Sequence, residues 1–340
     1  MKKWLTIPEQ TRRNAYIQIA EKTGMNAFAV EKDWWVVQTL RIIFEMDVAQ
    51  HLVFKGGTSL SKSWNLIQRF SEDVDLAIDR EFFGFKGVLS KNQRTNLRRT
   101  ACFYVTEKFF DELKNSFVEK EVSGLRCALV PPKSKDEDPR IIEIYYPHII
   151  EVSAYQQPRV QIEIGSRSLR EPFTVRTFTS LVDAAYADRD FAQYPINIPS
   201  VNPERTFLEK LFLLHEEFHK KQENIRVDRL SRHLYDVYHL AKTEFADKAL
   251  NDKSLYESIV EHRFHFTKVG DVNYNTLNPD TIDFIPIPEV YEAWKKDYKT
   301  MLDLMIYEKY PPSFDDLIAE FKILRDKIHS LPWTFEKSFP

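Results

Sequence analysis

A chain of 340 residues with 43% hydrophobic and 29% charged residues has the composition of a globular protein, and its length suits two domains. The formal net charge of −3 excludes a molecule that binds polyanions over its whole surface, so any nucleic-acid contact is expected in a local patch. The opening residues MKKWLTIPEQTRRN lack the apolar core of a secretory signal, and no run approaches the roughly 18 apolar residues of a membrane span. Two cysteines, Cys102 and Cys127, cannot build a zinc cage and read as small buried hydrophobes. The expectation is a cytoplasmic protein with no membrane association.

In chain order, residues 8–46 read as helical, with Val30, Trp34, Val37, Leu40 and Ile43 at helical spacing. HLVF (51–54) reads as a short buried strand. A helix from Thr58 or Ser59 follows, burying Leu60, Trp64 and Ile67 and turning Lys62 and Arg69 elsewhere. DVDLAI (73–78) alternates as a strand. Lys91 to Phe117 is again helical, and RIIEIYY (140–146) and RVQIEIG (159–165) are strand-like, with the polar loop PPKSKDEDP before them. The proline-bearing segment QYPINIPSVNPE (193–204) is the expected boundary between a nucleotide-handling domain, 1–195, and a helical domain, 196–340. Helices are expected near 203–220, 231–243, 289–307 and 313–330. There is no internal repeat or low-complexity tract.

The stretch FKGGTSLSKSWNLIQRFSEDVDLAI (54–78) concentrates the chemistry. A strand, Gly56-Gly57 and a helix make a tight turn that lets backbone approach a ligand, while the amides of Thr58 and Ser59 at the helix start suit phosphate oxygens. On the strand, Val74, Leu76 and Ile78 take one face and Asp73 and Asp75 the other. Two carboxylates that close are favourable only with a cation nearby, and oxygen ligands of this kind suit Mg2+ or Mn2+ bridging the phosphates of a nucleoside triphosphate.

These residues resemble the nucleotidyltransferase superfamily of DNA polymerase β, with a longer spacer between Gly57 and Asp73. More specifically, GGTSLSKSWNLIQRFSEDVDL is similar to the GGTxLxK…RxSxDxDL block of the AbiEii/AbiGii-type nucleotidyl transferase toxins. VEKDWWV (30–36), PERTFLEKLFLLH (203–215), SRHLYDVYHL (231–240) and, loosely, DYKTMLDLMI (297–306) continue the similarity in order. The resemblance implies a toxin of a toxin–antitoxin or phage-defence system. Such a toxin binds an NTP, and some members add nucleotides to the 3′ end of tRNA, so a tRNA or other RNA acceptor and a cognate antitoxin are the partners it implies. It also implies functional positions at Ser71, Asp73, Lys210 and Asp236, with Asp75 as the second metal carboxylate, and Gly56, Gly57, Thr58, Ser59, Lys62 and Arg69 around the nucleotide.

The remaining candidates rest on weaker signals. Lys210 lies off the apolar stripe Phe207, Leu211, Leu214 and Phe218; spacing alone allows a solvated lysine or a partner of Thr206 as readily as a triphosphate ligand. Asp236 is four residues from Arg232, and spacing alone allows a surface ion pair. Glu163 shares a strand face with Gln161 and Arg159 and is a candidate third metal ligand, or a solvent-facing glutamate. His215, His233 and His239 show no metal-binding spacing. The basic face Lys91, Arg94 and Arg98 is a candidate for contact with RNA. The expected architecture is α+β, a polymerase-β-like mixed sheet flanked by helices with a mostly helical C-terminal domain. The expected activity is metal-dependent nucleotidyl transfer. A metal-dependent nuclease or phosphohydrolase, and a non-catalytic nucleotide-binding module, are the rival readings.

Overall fold

Alternation of buried and half-buried residues along RIIEIY and along RVQIEI, up to a buried Gly165, marks strands with one mostly apolar and one mostly polar face. The computed structural model, which describes residues 1–71, 73–151, 157–167 and 170–340, places both in a mixed sheet. Among the described residues the strands are β1 (Leu52–Lys55), β2 (Asp73–Ile78), β3 (Arg126–Leu129), β4 (Arg140–Tyr145), β5 (Arg159–Gly165), β6 (Phe173–Phe178) and β7 (Ile196–Val201). Their spatial order is β3-β4-β5-β2-β1-β7-β6. β2 runs antiparallel to β1 and parallel to β5, while β4 and β3 continue antiparallel beyond β5.

The chain divides into two units, Met1–Asn65 with Phe70–Val201, and Leu66–Arg69 with Asn202–Pro340. β7 follows the expected boundary at 195/196 and belongs to the sheet of the first unit. Its proline argues against a sheet interior, yet the registered pairing of β7 with β1 is limited to Phe54 opposite Ser200, so Pro199 interrupts no long ladder on that side.

In the first unit the apolar sheet face, with Phe54, Val74, Leu76, Ile142, Ile144, Ile162 and Ile164, packs into a core that includes Trp4, Trp34, Trp35, Phe109 and Phe117. The helix Ala27–Ile43 is buried on nearly every side, including Glu31, Lys32, Asp33, Gln38 and Thr39. Its apolar stripe is therefore a weaker guide than usual, because such a helix is surrounded by protein rather than lying on a surface. The paired tryptophans pack as expected, Trp34 edge-on to Trp35 and Trp35 stacked on Tyr146.

The helix after β1 departs from expectation. It spans Gly56–Lys62, starting two residues early and stopping short of Trp64 and Ile67. The long helix after Lys91 is broken by a wider turn at Val105–Phe109.

The second unit is helical: Pro203–Phe218, Arg232–Ala241, Glu244–Asn251, Lys253–Phe266, Pro288–Leu304 and Phe314–His329. Pro203 occupies the first turn of its helix, where its missing N–H costs nothing. Phe207, Leu211, Leu214 and Phe218 face inward as their spacing requires, with Phe212 against Tyr256 and Phe218 against Trp294.

Candidate active site

Gly56 closes β1 with a left-handed φ of +76°, a conformation that side chains disfavour. A Cβ there would lie 2.0 Å from Oδ2 and 2.8 Å from Cγ of Asp75. The carboxylate of Asp75 thus rests against bare backbone at the turn, which accounts for the glycine on both conformational and steric grounds. Thr58 Oγ1 donates to the carbonyl of Asp73, tying the start of the helix to the start of β2. Gly57, Thr58 and Ser59 are buried, and the hydroxyl of Ser59 has no hydrogen-bond partner among the described residues.

Strand register sets the carboxylates. Lys55 on β1 stands opposite Asp75, Asp75 is paired with Glu163 on β5, and Asp73 is paired with Gln161. Residues paired across a ladder share a face, so Lys55, Asp73, Asp75, Gln161 and Glu163 form one polar, half-buried patch. Gln161 Nε2 donates to Glu163 Oε1 at 3.1 Å. Burial first, then the charges of Asp75 and Asp73, push the Glu163 carboxyl up to about 7, against the pull of Lys55 and Gln161. Among the described residues no three His, Cys, Asp or Glu side chains converge as a ready-made metal cage. The donor set nevertheless fits a hard divalent cation: two carboxylates one residue apart and a third on the next strand, whose proton is held first by burial and then by the charges of Asp75 and Asp73. Ser71 is half-buried two residues before Asp73.

Lys62, expected near phosphates, pairs instead with Asp33, Nζ to Oδ1 2.6 Å, while Asp33 Oδ2 accepts the amide of Leu181 at 2.7 Å. The VEKDWWV segment therefore anchors the helix that follows the glycines.

The second unit assembles the other candidates. Arg69, also expected near phosphates, is buried and grips Asp236 with two hydrogen bonds, Nε to Oδ1 at 2.6 Å and Nη2 to Oδ2 at 2.8 Å. Lys210 Nζ lies 2.8 Å from Asp236 Oδ2 and 3.2 Å from His233 Nδ1. Asp236 is 0% exposed, so the surface pair with Arg232 that its spacing allowed is replaced by a buried one with Arg69 and Lys210. Burial alone would raise the Asp236 carboxyl, but the two cations hold it far below the usual carboxylate range. Burial lowers Lys210, with Asp236 opposing, and burial together with Lys210 keeps His233 neutral at physiological pH. Arg69 is held there by backbone: Tyr307 N donates to Gln68 O at 3.1 Å, Gln68 N to Tyr235 Oη at 3.3 Å, and Arg69 bridges Ile306.

Sequence reasoning missed Lys55, because its place opposite Asp75 depends on register, although its position immediately before the glycines was an available signal; Gln161 was read on the face of Glu163, but its pairing with Asp73 also depends on register. His215 is buried between the Asp283 carbonyl and Thr276, and His239 lies 3.1 Å from Glu308. The basic helix is partly neutralised: Arg94 donates to the Leu89 carbonyl at 2.7 Å and Arg98 to Asp136 at 2.7 Å, while Lys91 remains exposed. Among the described residues no helix is long and apolar enough to cross a membrane.

A family model described as the nucleotidyl transferase AbiEii toxin of type IV toxin–antitoxin systems matches residues 40–320. Among solved structures the chain is similar to MenT4, a nucleotidyltransferase toxin from Mycobacterium tuberculosis H37Rv, with 17% identity, coverage of 95% of this chain and 98% of that one, and a TM-score of 0.43. No sequence among curated proteins matches.

Proposed function

We propose, for a chain that belongs to the AbiEii nucleotidyl transferase toxin family of type IV toxin–antitoxin systems, that it transfers a nucleotidyl group from an NTP to the end of an RNA acceptor such as tRNA, with Mg2+ or Mn2+ as cofactor. The observation that carries the reading is the close approach of Gly56 to the carboxylate of Asp75, which sets the glycine turn beside the carboxylate pair although the helix Gly56–Lys62 and the loop after it separate them in the chain.

Gly56 and Gly57 admit the triphosphate to the backbone, with Thr58 and Ser59 supplying the next amides. Asp73 and Asp75 would hold the cation, with Glu163 beside them, and that cation would neutralise the phosphates and polarise the reacting phosphoryl group. Thr58 ties the start of the helix to the carbonyl of Asp73, and Ser71, half-buried two residues before Asp73, is assigned to the site with it. Lys210 is assigned to the triphosphate charge and Asp236 to holding Lys210 in place, with Arg69 securing Asp236. Lys62 acts through Asp33 rather than on phosphate. A cognate antitoxin is the protein partner that the family implies, and the cytoplasm supplies the NTP.

The test is to incubate the protein with total RNA and each α-labelled NTP in turn, with Mg2+ or Mn2+. Label should enter RNA, and Asp75→Asn should abolish it. Cleavage of RNA without incorporation would replace the reading with a nuclease.

A further inference from the structure

The polar patch that holds Asp73 and Asp75 does not end at β5. Gln161 pairs with Glu143 on β4 and Arg159 with Tyr145, while Tyr145 pairs in turn with Arg126 on β3, the last strand on that side. All of these residues share the aspartate face, since the alternate residues Ile142, Ile144, Val160 and Ile162 are the buried ones. Arg126 is exposed and its guanidinium lies 3.9 Å from the centre of the Tyr145 ring. The Tyr145 hydroxyl donates to Glu143 at 2.6 Å, and Arg159 pairs with the same carboxylate. The ring is thus fixed at its hydroxyl and covered on one face by a flat cation.

The direction of the reaction says what such a plate is for. In phosphoryl transfer the attacking and leaving oxygens lie roughly in line on opposite sides of the phosphorus. The glycine turn that seats the leaving phosphates is at the end of β1, on one side of β2; β5, β4 and β3 extend on the other. On the nucleotidyl-transfer reading, this leaves the side over β5 and β4 for the acceptor. At ~4.8 Å per strand and ~3.3 Å per residue, Tyr145 lies about 12 Å from Asp73 across this face, within reach of the end of a single strand.

We infer that Arg126 and Tyr145 form an acceptor subsite that stacks an unpaired nucleobase at the end of a nucleic-acid strand. An arginine plane over an aromatic ring offers a base a flat, cationic partner, and the exposed Arg126 supplies positive charge for an adjoining phosphodiester. Gln161 and Glu143, between the plate and the aspartates, offer donor and acceptor groups to a base edge. The inference rests on the nucleotidyl-transfer reading and adds the place and chemical nature of the acceptor.

The experiment measures fluorescence anisotropy of a short, mixed-sequence, fluorescein-labelled single-stranded RNA, with binding of a fluorescent NTP in Mn2+ followed in parallel. Tyr145→Ala and the exposed Arg126→Glu should each weaken RNA binding about tenfold. Tyr145→Phe should retain it within about twofold, because the ring and not the hydroxyl stacks. NTP binding should be unchanged in all three. Undiminished RNA binding by Arg126→Glu and Tyr145→Ala overturns the subsite. So does a loss confined to the NTP, which would assign the plate to the base of the incoming nucleotide. Parent protein that binds NTP but no RNA overturns the acceptor assignment and leaves the transfer reading standing, whereas failure to bind either probe removes that reading first.

Discussion

Gly56 and Asp75 occupy adjoining space so closely that a single methyl on the glycine would fall 2.0 Å from the aspartate oxygen. Gly56→Ala therefore meets two penalties: the φ of +76° costs about 1 kcal/mol for a residue with a Cβ, and the carboxylate must move. Because a displacement of about 1 Å at a reacting centre can cost about a hundredfold in rate, nucleotidyl transfer should fall by at least that factor. Thermal unfolding should shift by only a few degrees. Label incorporation near the parental rate would show that Asp75 need not occupy this position.

Arg69 stands between the glycines and the aspartates in the chain yet serves Asp236. Arg69→Ala would leave a fully buried carboxylate with Lys210 as its remaining close cation, and breaking one partner of a buried pair costs about 3–5 kcal/mol. Arg69→Lys should recover only part, since an ammonium cannot reproduce the two-pronged contact. Urea denaturation followed by circular dichroism measures both, and a loss below about 1 kcal/mol for the alanine variant would show that Lys210 alone satisfies Asp236.

What could be read from the chain divides along the range of the interactions. Gly56, Gly57, Asp73 and Asp75 were legible because a tight turn and a two-residue strand repeat are local rules, and the sheet bears out the alternation. The company of Arg69 was not, since its partner lies 167 residues away. The partner of Lys62 was hidden for a related reason: helical periodicity places it relative to Leu60, Trp64 and Ile67, but the helix ends at Lys62 and its ammonium pairs with Asp33 on another helix. β7 was hidden by Pro195 and Pro199, which usually mark a linker; Pro195 lies before the strand, and the short pairing with β1 tolerates Pro199. Arg98 looked free on a basic helix face until Asp136, from the loop PPKSKDEDP, folded onto it.

On the proposed reading, cation binding should depend on pH through Glu163. Its carboxyl, held up to about 7 by burial and by Asp75 and Asp73, keeps its proton below that pH, and a cation must displace it. Affinity for Mn2+ should rise as pH climbs through about 7 and level off above. Titration calorimetry in two buffers of different ionisation enthalpy would detect the released proton, and Glu163→Gln should abolish the release. Equal proton release in that variant would assign the titration elsewhere.

A second carboxyl titrates in the same range for a purely structural reason. Glu31 is 0% exposed on the helix Ala27–Ile43, accepting the amides of Ile149 at 2.9 Å and Ile150 at 3.2 Å. Burial raises it from the ordinary 4.5 to about 7, against those two hydrogen bonds and the charges of Arg12 and Arg13. The folded state therefore holds a proton that the unfolded chain has already lost between these values, so the unfolded state binds fewer protons and stability falls as pH rises. The contribution is full below the unfolded value and is lost by about pH 7, amounting to roughly 3 kcal/mol at 1.36 kcal/mol per pKa unit. Glu31→Gln should be destabilised at pH 5, by about 1–3 kcal/mol, because an amide offers one acceptor oxygen to two buried N–H groups. Its stability should nevertheless change less between pH 5 and pH 7 than that of the parent. Since Glu163 contributes to both proteins alike, the difference between their urea midpoints across this interval isolates Glu31, and parallel curves would show that its carboxylate is as comfortable folded as unfolded.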